Sequence, residues 1–202
     1  MGSFMARTIL CRYPECDLAG AIICGTGWQP RAVLPGGIAL SRLVCKKDGE
    51  QNPSEKLQGL IFGGFNKRVE HPRTSFDWLS RDQQNVDDYI AHPLCGFVAS
   101  AGLLRDMMMG IQYDEMPESL GKMNKALPVF FIAGGDDPVG NYGKGVRQAE
   151  AAFRKAGMEK VDCRIYPLCR HEILNEINRE EIYADIGRWL APILEKKEPE
   201  EK

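Results

Sequence analysis

The sequence predicts an α/β fold: a parallel sheet of about three strands carrying an inserted helical cap. Three observations lead there. Short apolar runs at Ala19–Cys24, Leu127–Ala133 and Val161–Tyr166 alternate with helical patterns, the order that builds a parallel sheet. The second and third runs each empty into a loop with one polar residue suited to chemistry, Asp137 in GGDDPVG (Gly134–Gly140) and His171 in CRHE (Cys169–Glu172). Between the first two runs, Trp28 to Gln112 reads as helices only. About 85 residues is far more than a crossover between parallel strands needs, so this segment reads as a cap over the carboxyl edge of the sheet, where such folds bind ligands.

The elements follow in order. SFMARTILCRY (residues 3–13) is helical until Pro14, and apolar residues on more than one side (Phe4, Met5, Ile9, Leu10) predict a buried helix. Ala19–Cys24 predicts a buried parallel strand leaving through Gly25-Thr26-Gly27. Four cap helices are expected. One spans Ile38–Cys45. A second begins at Asn52-Pro53-Ser54-Glu55 with Asn52 as N-cap, presents Leu57, Leu60 and Ile61, and breaks at Gly63-Gly64. A third is capped by Ser80 with Gln83 and stops before Pro93; a fourth covers Phe97–Ile111. Its run Met107–Met109 reads as helix core, with a lipid-contacting surface as the alternative. A short polar helix follows Pro117. Gly145–Lys155 is amphipathic and closes at Gly157. Asn178 with Glu181 caps a last helix carrying Ile182, Ile186, Trp189, Leu190 and Ile193, which Pro192 ends or kinks. This divides the chain into a partial core (1–27 and 113–194), a cap (28–112) and a disordered tail (195–202).

Composition excludes several functions. With 202 residues, 44% of them hydrophobic, the chain can bury a core, and 28 acids against 26 bases give a net charge of −2. That offers no electrostatic case for nucleic acid or an anionic membrane. No apolar run approaches the roughly 18 residues of a membrane span, and the N-terminus lacks a basic start followed by an apolar block. The seven cysteines are scattered, odd in number and without CxxC spacing, which predicts reduced thiols in a cytoplasmic protein and no zinc framework.

An acid followed by a histidine, each just past a strand, is the arrangement that orients an imidazole as general base. It requires a nucleophile. Asp136 reads as a solvent-facing neighbour of Asp137, and His71 and His92, each beside a proline, read as cap loop residues. Ser3 fits a helix N-cap or first-turn role.

These motifs resemble the α/β-hydrolases, in particular the monoacylglycerol-lipase-like lysophospholipase (serine aminopeptidase-type) branch. FNKRVEHPRTSFDWLSRD (Phe65–Asp82) and HPLCGFVASAG (His92–Gly102) are similar to its cap, GGDDPVG to its acid loop, and RHEILNEINREEIY (Arg170–Tyr183) to its histidine loop and last helix. In that branch the nucleophile elbow reads Gly-His-Ser-Met-Gly-Ser, and Met1-Gly2-Ser3 resembles its last three residues. The resemblance therefore implies Asp137 and His171 as triad members, a serine immediately before Met1, and the Met1 N–H as an oxyanion donor. It implies hydrolysis of a lipid ester (monoacylglycerol or lysophospholipid) or another small acyl substrate, without a cofactor. The family's first five strands, elbow serine and one oxyanion loop have no counterpart here. The chain alone is thus expected to be inactive, with an exposed sheet edge open to association. Two alternatives stand: a non-catalytic remnant or interaction module, and a prolyl-aminopeptidase-like peptidase.

Overall fold

A computed structural model describes residues 1–195, so the expected disordered tail lies outside the described residues except for Glu195. Three parallel strands, β1 (Ala21–Cys24), β2 (Val129–Gly134) and β3 (Val161–Tyr166), pair in the order β1-β2-β3. Ala21 lies opposite Val129, and Val129 opposite Val161. All six residues of β2 are buried, which is why its sequence is a continuous apolar run rather than an alternation. Its two faces serve different layers. Val129, Phe131 and Ala133 pack with α1 (Gly2–Arg12) and α7 (Lys144–Lys155), while Phe130 and Ile132 pack with α8 (Arg179–Leu194).

Helix α1 is less enclosed than its composition suggests. Phe4, Arg7, Leu10 and Cys11 form the buried stripe, and Met5 and Ile9 on the opposite side are 59% and 46% exposed. β1 is also only half-buried apart from Ile23, because it borders the sheet with a partner on one side.

The inserted segment holds α2 (Val33–Asp48), α3 (Glu55–Phe62), α4 (Gln83–Ala91) and α5 (Ala101–Asp114), with short 3-10 turns at Phe65–Arg68 and Asp77–Leu79. No strand runs through it among the described residues, but its helix starts differ from the expected ones. α2 begins five residues before Ile38, since Pro35 falls in its first turn, where a proline needs no N–H. α3 is capped by Ser54, whose Oγ accepts from Leu57 N, and not by Asn52. Asn52 and Pro53 are instead held against the start of α5: Ala101 N donates to Asn52 O (3.1 Å) and Pro53 bridges Ser100. The cap of α4 is Asp82, and that of α5 is Ser100 in place of a start near Phe97.

α5 also runs past the expected boundary at 112/113. Its Met108 and Ile111 share a cluster with Phe4 of α1 and with Leu34 and Ile38 of α2, so the cap and core are joined through one helix. Met107 and Met108 pack inside, and Met109 is 41% exposed. After α6 (Pro117–Gly121), α7 closes at Gly157 (φ 95°), as expected. α8 starts after Asn178, but the Asn178 side chain makes no cap bond; its oxygen accepts from Arg81 Nη2 (2.7 Å), a charged and stronger donor. Pro192 sits in the last turns of α8 without stopping it before Leu194.

Candidate active site

The loops leaving β2 and β3 meet backbone to backbone. Gly135 N donates to Tyr166 O (2.8 Å) and Asp136 N to Cys169 O (2.9 Å). A Cβ on Gly134 would lie 2.1 Å from Cys169 O, so this crossing admits only glycine. Asp137 is fully buried. Its Oδ1 accepts from Val139 N (2.8 Å), a local turn that fixes the carboxylate, and its Oδ2 lies 3.0 Å from His171 Nδ1. A carboxylate only accepts, so Nδ1 carries the proton and Nε2 is the basic nitrogen. Among the described residues Nε2 has no hydrogen-bond partner. The imidazole is 22% exposed and lies 5.3 Å from the Trp78 ring of the cap.

At the end of β1, Gly25 (φ 61°) passes under this ring. A Cβ there would meet His171 Cε1 at 3.1 Å. A cavity of about 340 Å³ opens beside the imidazole, lined by Met1, Gly2, Ser3, Ala6, Ile22, Cys24, Gly25 and His171. The start of α1 therefore faces the histidine. Neither nucleophile type in this lining is activated. Ser3 Oγ donates to Gly25 O (3.4 Å), and burial together with the Asp137 charge pushes the Cys24 thiol up to about 12, keeping it protonated.

Helix α1 is tied down by Arg7, which is wholly buried. Its Nη1 donates to Thr26 Oγ1 (3.2 Å) and Gly27 O (2.9 Å), its Nη2 to Asp114 O (3.3 Å), and its guanidinium lies 5.5 Å from both the Phe4 and Trp28 ring centres. Beside it, burial pushes the Asp114 carboxyl up to about 6 and that of Glu115 up to about 7.

The structure thus brings Asp137, His171 and Met1 to one end of the sheet. Asp136 is exposed, as expected, and His71 and His92 are exposed loop and helix-end residues of the cap. Among the described residues no group of three His, Cys, Asp or Glu is placed to hold a metal ion, and no helix is long and apolar enough to cross a membrane.

The sequence profile of the serine aminopeptidase, S33, family matches residues 1–178. The chain belongs to that family.

Solved structures place this S33 chain among the α/β-hydrolases. A highly thermostable carboxyl esterase from Bacillus coagulans, solved with glycerol, superposes with a TM-score of 0.85 at 26% identity, covering 95% of the S33 chain and 62% of the esterase. A lipase in an open form gives 0.79 at 25%, with 96% and 62% covered. A soluble variant of monoglyceride lipase from Saccharomyces cerevisiae gives 0.68 at 16%, with 95% and 59% covered, a likeness of fold. The S33 chain spans about three fifths of the length of these structures and matches part of their fold. No curated protein matches it in sequence.

Sequence reasoning passed over several residues that shape this S33 site. Gly25 and Gly134 read as ordinary strand ends, since the atoms that forbid a side chain come from distant loops. Trp78, Arg81 and Glu176 lie inside the family-like stretches but carry no local signal of a role. Nothing in the α1 pattern marks Arg7 as buried.

Proposed function

We propose that this chain is the carboxyl-terminal part of a serine hydrolase that cleaves carboxylic esters of lipids, monoacylglycerols or lysophospholipids. Its base is His171, its orienting acid Asp137, and its nucleophile a serine directly preceding Met1. The observation that carries this reading is the 3.0 Å bond between buried Asp137 and His171, at a cavity shared with the start of α1. The likeness to a carboxyl esterase and a lipase supports ester chemistry.

In this mechanism the serine hydroxyl attacks the ester carbonyl carbon while Nε2 of His171 takes its proton. Asp137 holds the Nδ1–H and stabilises the imidazolium. The first N–H groups of a helix have no intrahelical acceptor, so Met1 N, as a peptide N–H at the start of α1, donates to the oxyanion. The carbonyl–alkoxide bond then breaks, the leaving alcohol takes the proton from His171, and water releases the acyl group by the same steps in reverse.

The test is fluorophosphonate labelling, with and without in-frame upstream coding sequence. Residues 1–202 alone should not label. The longer protein should label on the serine before Met1 and hydrolyse a p-nitrophenyl ester faster than an aminoacyl p-nitroanilide. Asp137→Asn should lower its kcat on the order of 10⁴-fold. Labelling of a residue inside 1–202 would overturn the assignment.

A further inference from the structure

The loop that carries His171 is tied to its own sheet only at its start, where Asp136 N donates to Cys169 O (2.9 Å). Leu168, two residues past β3, has φ 64°, a conformation rarely adopted by a bulky side chain and kept only where the surroundings impose it. Beyond Leu168 the loop is held by a cap segment, Asp77–Arg81. Glu172 N donates to Leu79 O (2.7 Å) and His171 N to Trp78 O (3.4 Å). Arg170 Nη1 donates to Asp77 O (2.7 Å) and Ser80 O (2.9 Å), and Ser80 Oγ to Asn175 O (3.2 Å).

At the centre of this junction is Glu176, whose side chain is fully buried. Its Oε1 accepts from Arg170 N (2.8 Å) and Arg81 N (3.2 Å), and its Oε2 from Arg81 Nε (2.9 Å) and Ile177 N (3.2 Å). Arg81 continues to Asn178 Oδ1 (2.7 Å) and Cys169 Sγ (3.5 Å). The carboxylate therefore joins the residue before His171 to the cap, and the guanidinium joins the cap to both ends of the loop. A buried carboxylate with four donors is a rigid node, and one whose charge partner is removed is left without compensation.

We infer that Glu176 and Arg81 are positioning residues for His171: the cap, through the ion pair of half-buried Arg81 with buried Glu176, sets the imidazole against Asp137. The inference rests on His171 being the base, but the geometry is read without any turnover. The probe is the His171 Nδ1–H resonance in residues 1–202, its exchange with water and the ring ¹⁵N shifts that report the tautomer. Glu176→Gln keeps one acceptor oxygen and presents an amide N–H₂ to donors at the other. Asp185→Asn is the control, a change at another buried carboxylate, which accepts from Tyr166 Oη (3.0 Å) and pairs with Arg164 (2.6 Å) and Arg188, none of them a partner of Glu176 or Arg81.

With all variants shown folded by circular dichroism, Glu176→Gln should accelerate Nδ1–H exchange at least tenfold and shift the ring toward the Nε2–H tautomer. Asp185→Asn should change neither. If Glu176→Gln does not fold, Arg81→Lys decides, because it keeps the charge and the three main-chain donors to Glu176 while losing the guanidinium fork; a smaller change in the same direction is expected. In the longer, active protein Glu176→Gln should lower kcat tenfold or more with KM within twofold. An unchanged His171 signature in Glu176→Gln, or an equal change in Asp185→Asn, overturns the proposal. Intact NMR effects in a protein that never labels would instead count against the hydrolase reading alone.

Discussion

Gly25 combines a backbone and a steric requirement at one residue. Its φ of 61° lies in the left-handed region, and a Cβ would press on the imidazole at 3.1 Å from Cε1 and 3.3 Å from Nδ1. Gly25→Ala should therefore cost about 1–2 kcal/mol from the backbone alone, and also displace His171 from Asp137. Gly110, inside α5 with nothing within 4 Å of its Cβ position, is the control: Gly110→Ala should stabilise by about 0.5–1 kcal/mol. Urea unfolding of the two variants, with the His171 Nδ1–H resonance as a second readout, checks both signs. An intact resonance in Gly25→Ala would show that the ring tolerates the contact. Asp137 and His171 were legible because a polar residue past an apolar strand is a pattern within a few positions. Gly25 was legible as a turn but not as a floor for the imidazole, because the atoms that demand it come from the far end of the chain.

At the scale of elements, the strands, the middles of the helices and the starts of α1, α7 and α8 were readable, and the starts of the inserted helices were not. Ser80 with Gln83, and Asn52 before Pro53, satisfy local capping rules. Yet Ser80 Oγ accepts from Asp82 N (3.0 Å) and donates to the histidine loop, while Asn52 is engaged with the start of α5. The Ser80 side chain was drawn into a tertiary hydrogen bond and the Asn52 amide turned back to Asp48 O at the end of α2, so in each case the next suitable residue took over. For α4 that residue is Asp82, whose Oδ1 accepts from Gln84 N at 3.0 Å. Asp82→Ala should lower stability by about 1 kcal/mol, its 3.5 Å pair with exposed Arg179 adding little. Gln83→Ala should stay within about 0.5 kcal/mol, since only its main-chain oxygen receives a bond, from Arg73. Equal losses in the two variants by urea denaturation would restore Ser80–Gln83 as the cap.

Over the whole molecule, the alternation of strands and helices disclosed the parallel sheet and the helical insertion, but not where the insertion rejoins the core. α5 is one helix whose later turns pack on α1 and α2, and a helical pattern carries no mark of the layer it touches. That junction encloses Arg7, Asp114 and Glu115, and it makes stability depend on pH. For Asp114, burial outweighs the Thr8 hydroxyl, Arg7 and Arg12; for Glu115 it outweighs the Gln29 N–H and Arg7, with Asp114 adding to the rise. Both carboxyls are raised, so between the ordinary carboxylate range and about 7 the folded chain holds protons that the unfolded chain has released. Stability from these two groups is present below that window and is lost as pH rises through about 4.5 to 7. Asp77 works oppositely: burial raises it, but hydrogen bonds from Thr74 and the Arg73 N–H bring it down overall. Its contribution disappears only as pH falls below the ordinary carboxylate range, outside this window. The urea midpoint should therefore be lower at pH 7.5 than at pH 5. Glu115→Gln, which keeps an acceptor for Gln29 N (2.8 Å), should reduce that difference, and adding Asp114→Asn should nearly remove it. A midpoint difference unchanged in the double variant would place the pH dependence elsewhere in the molecule.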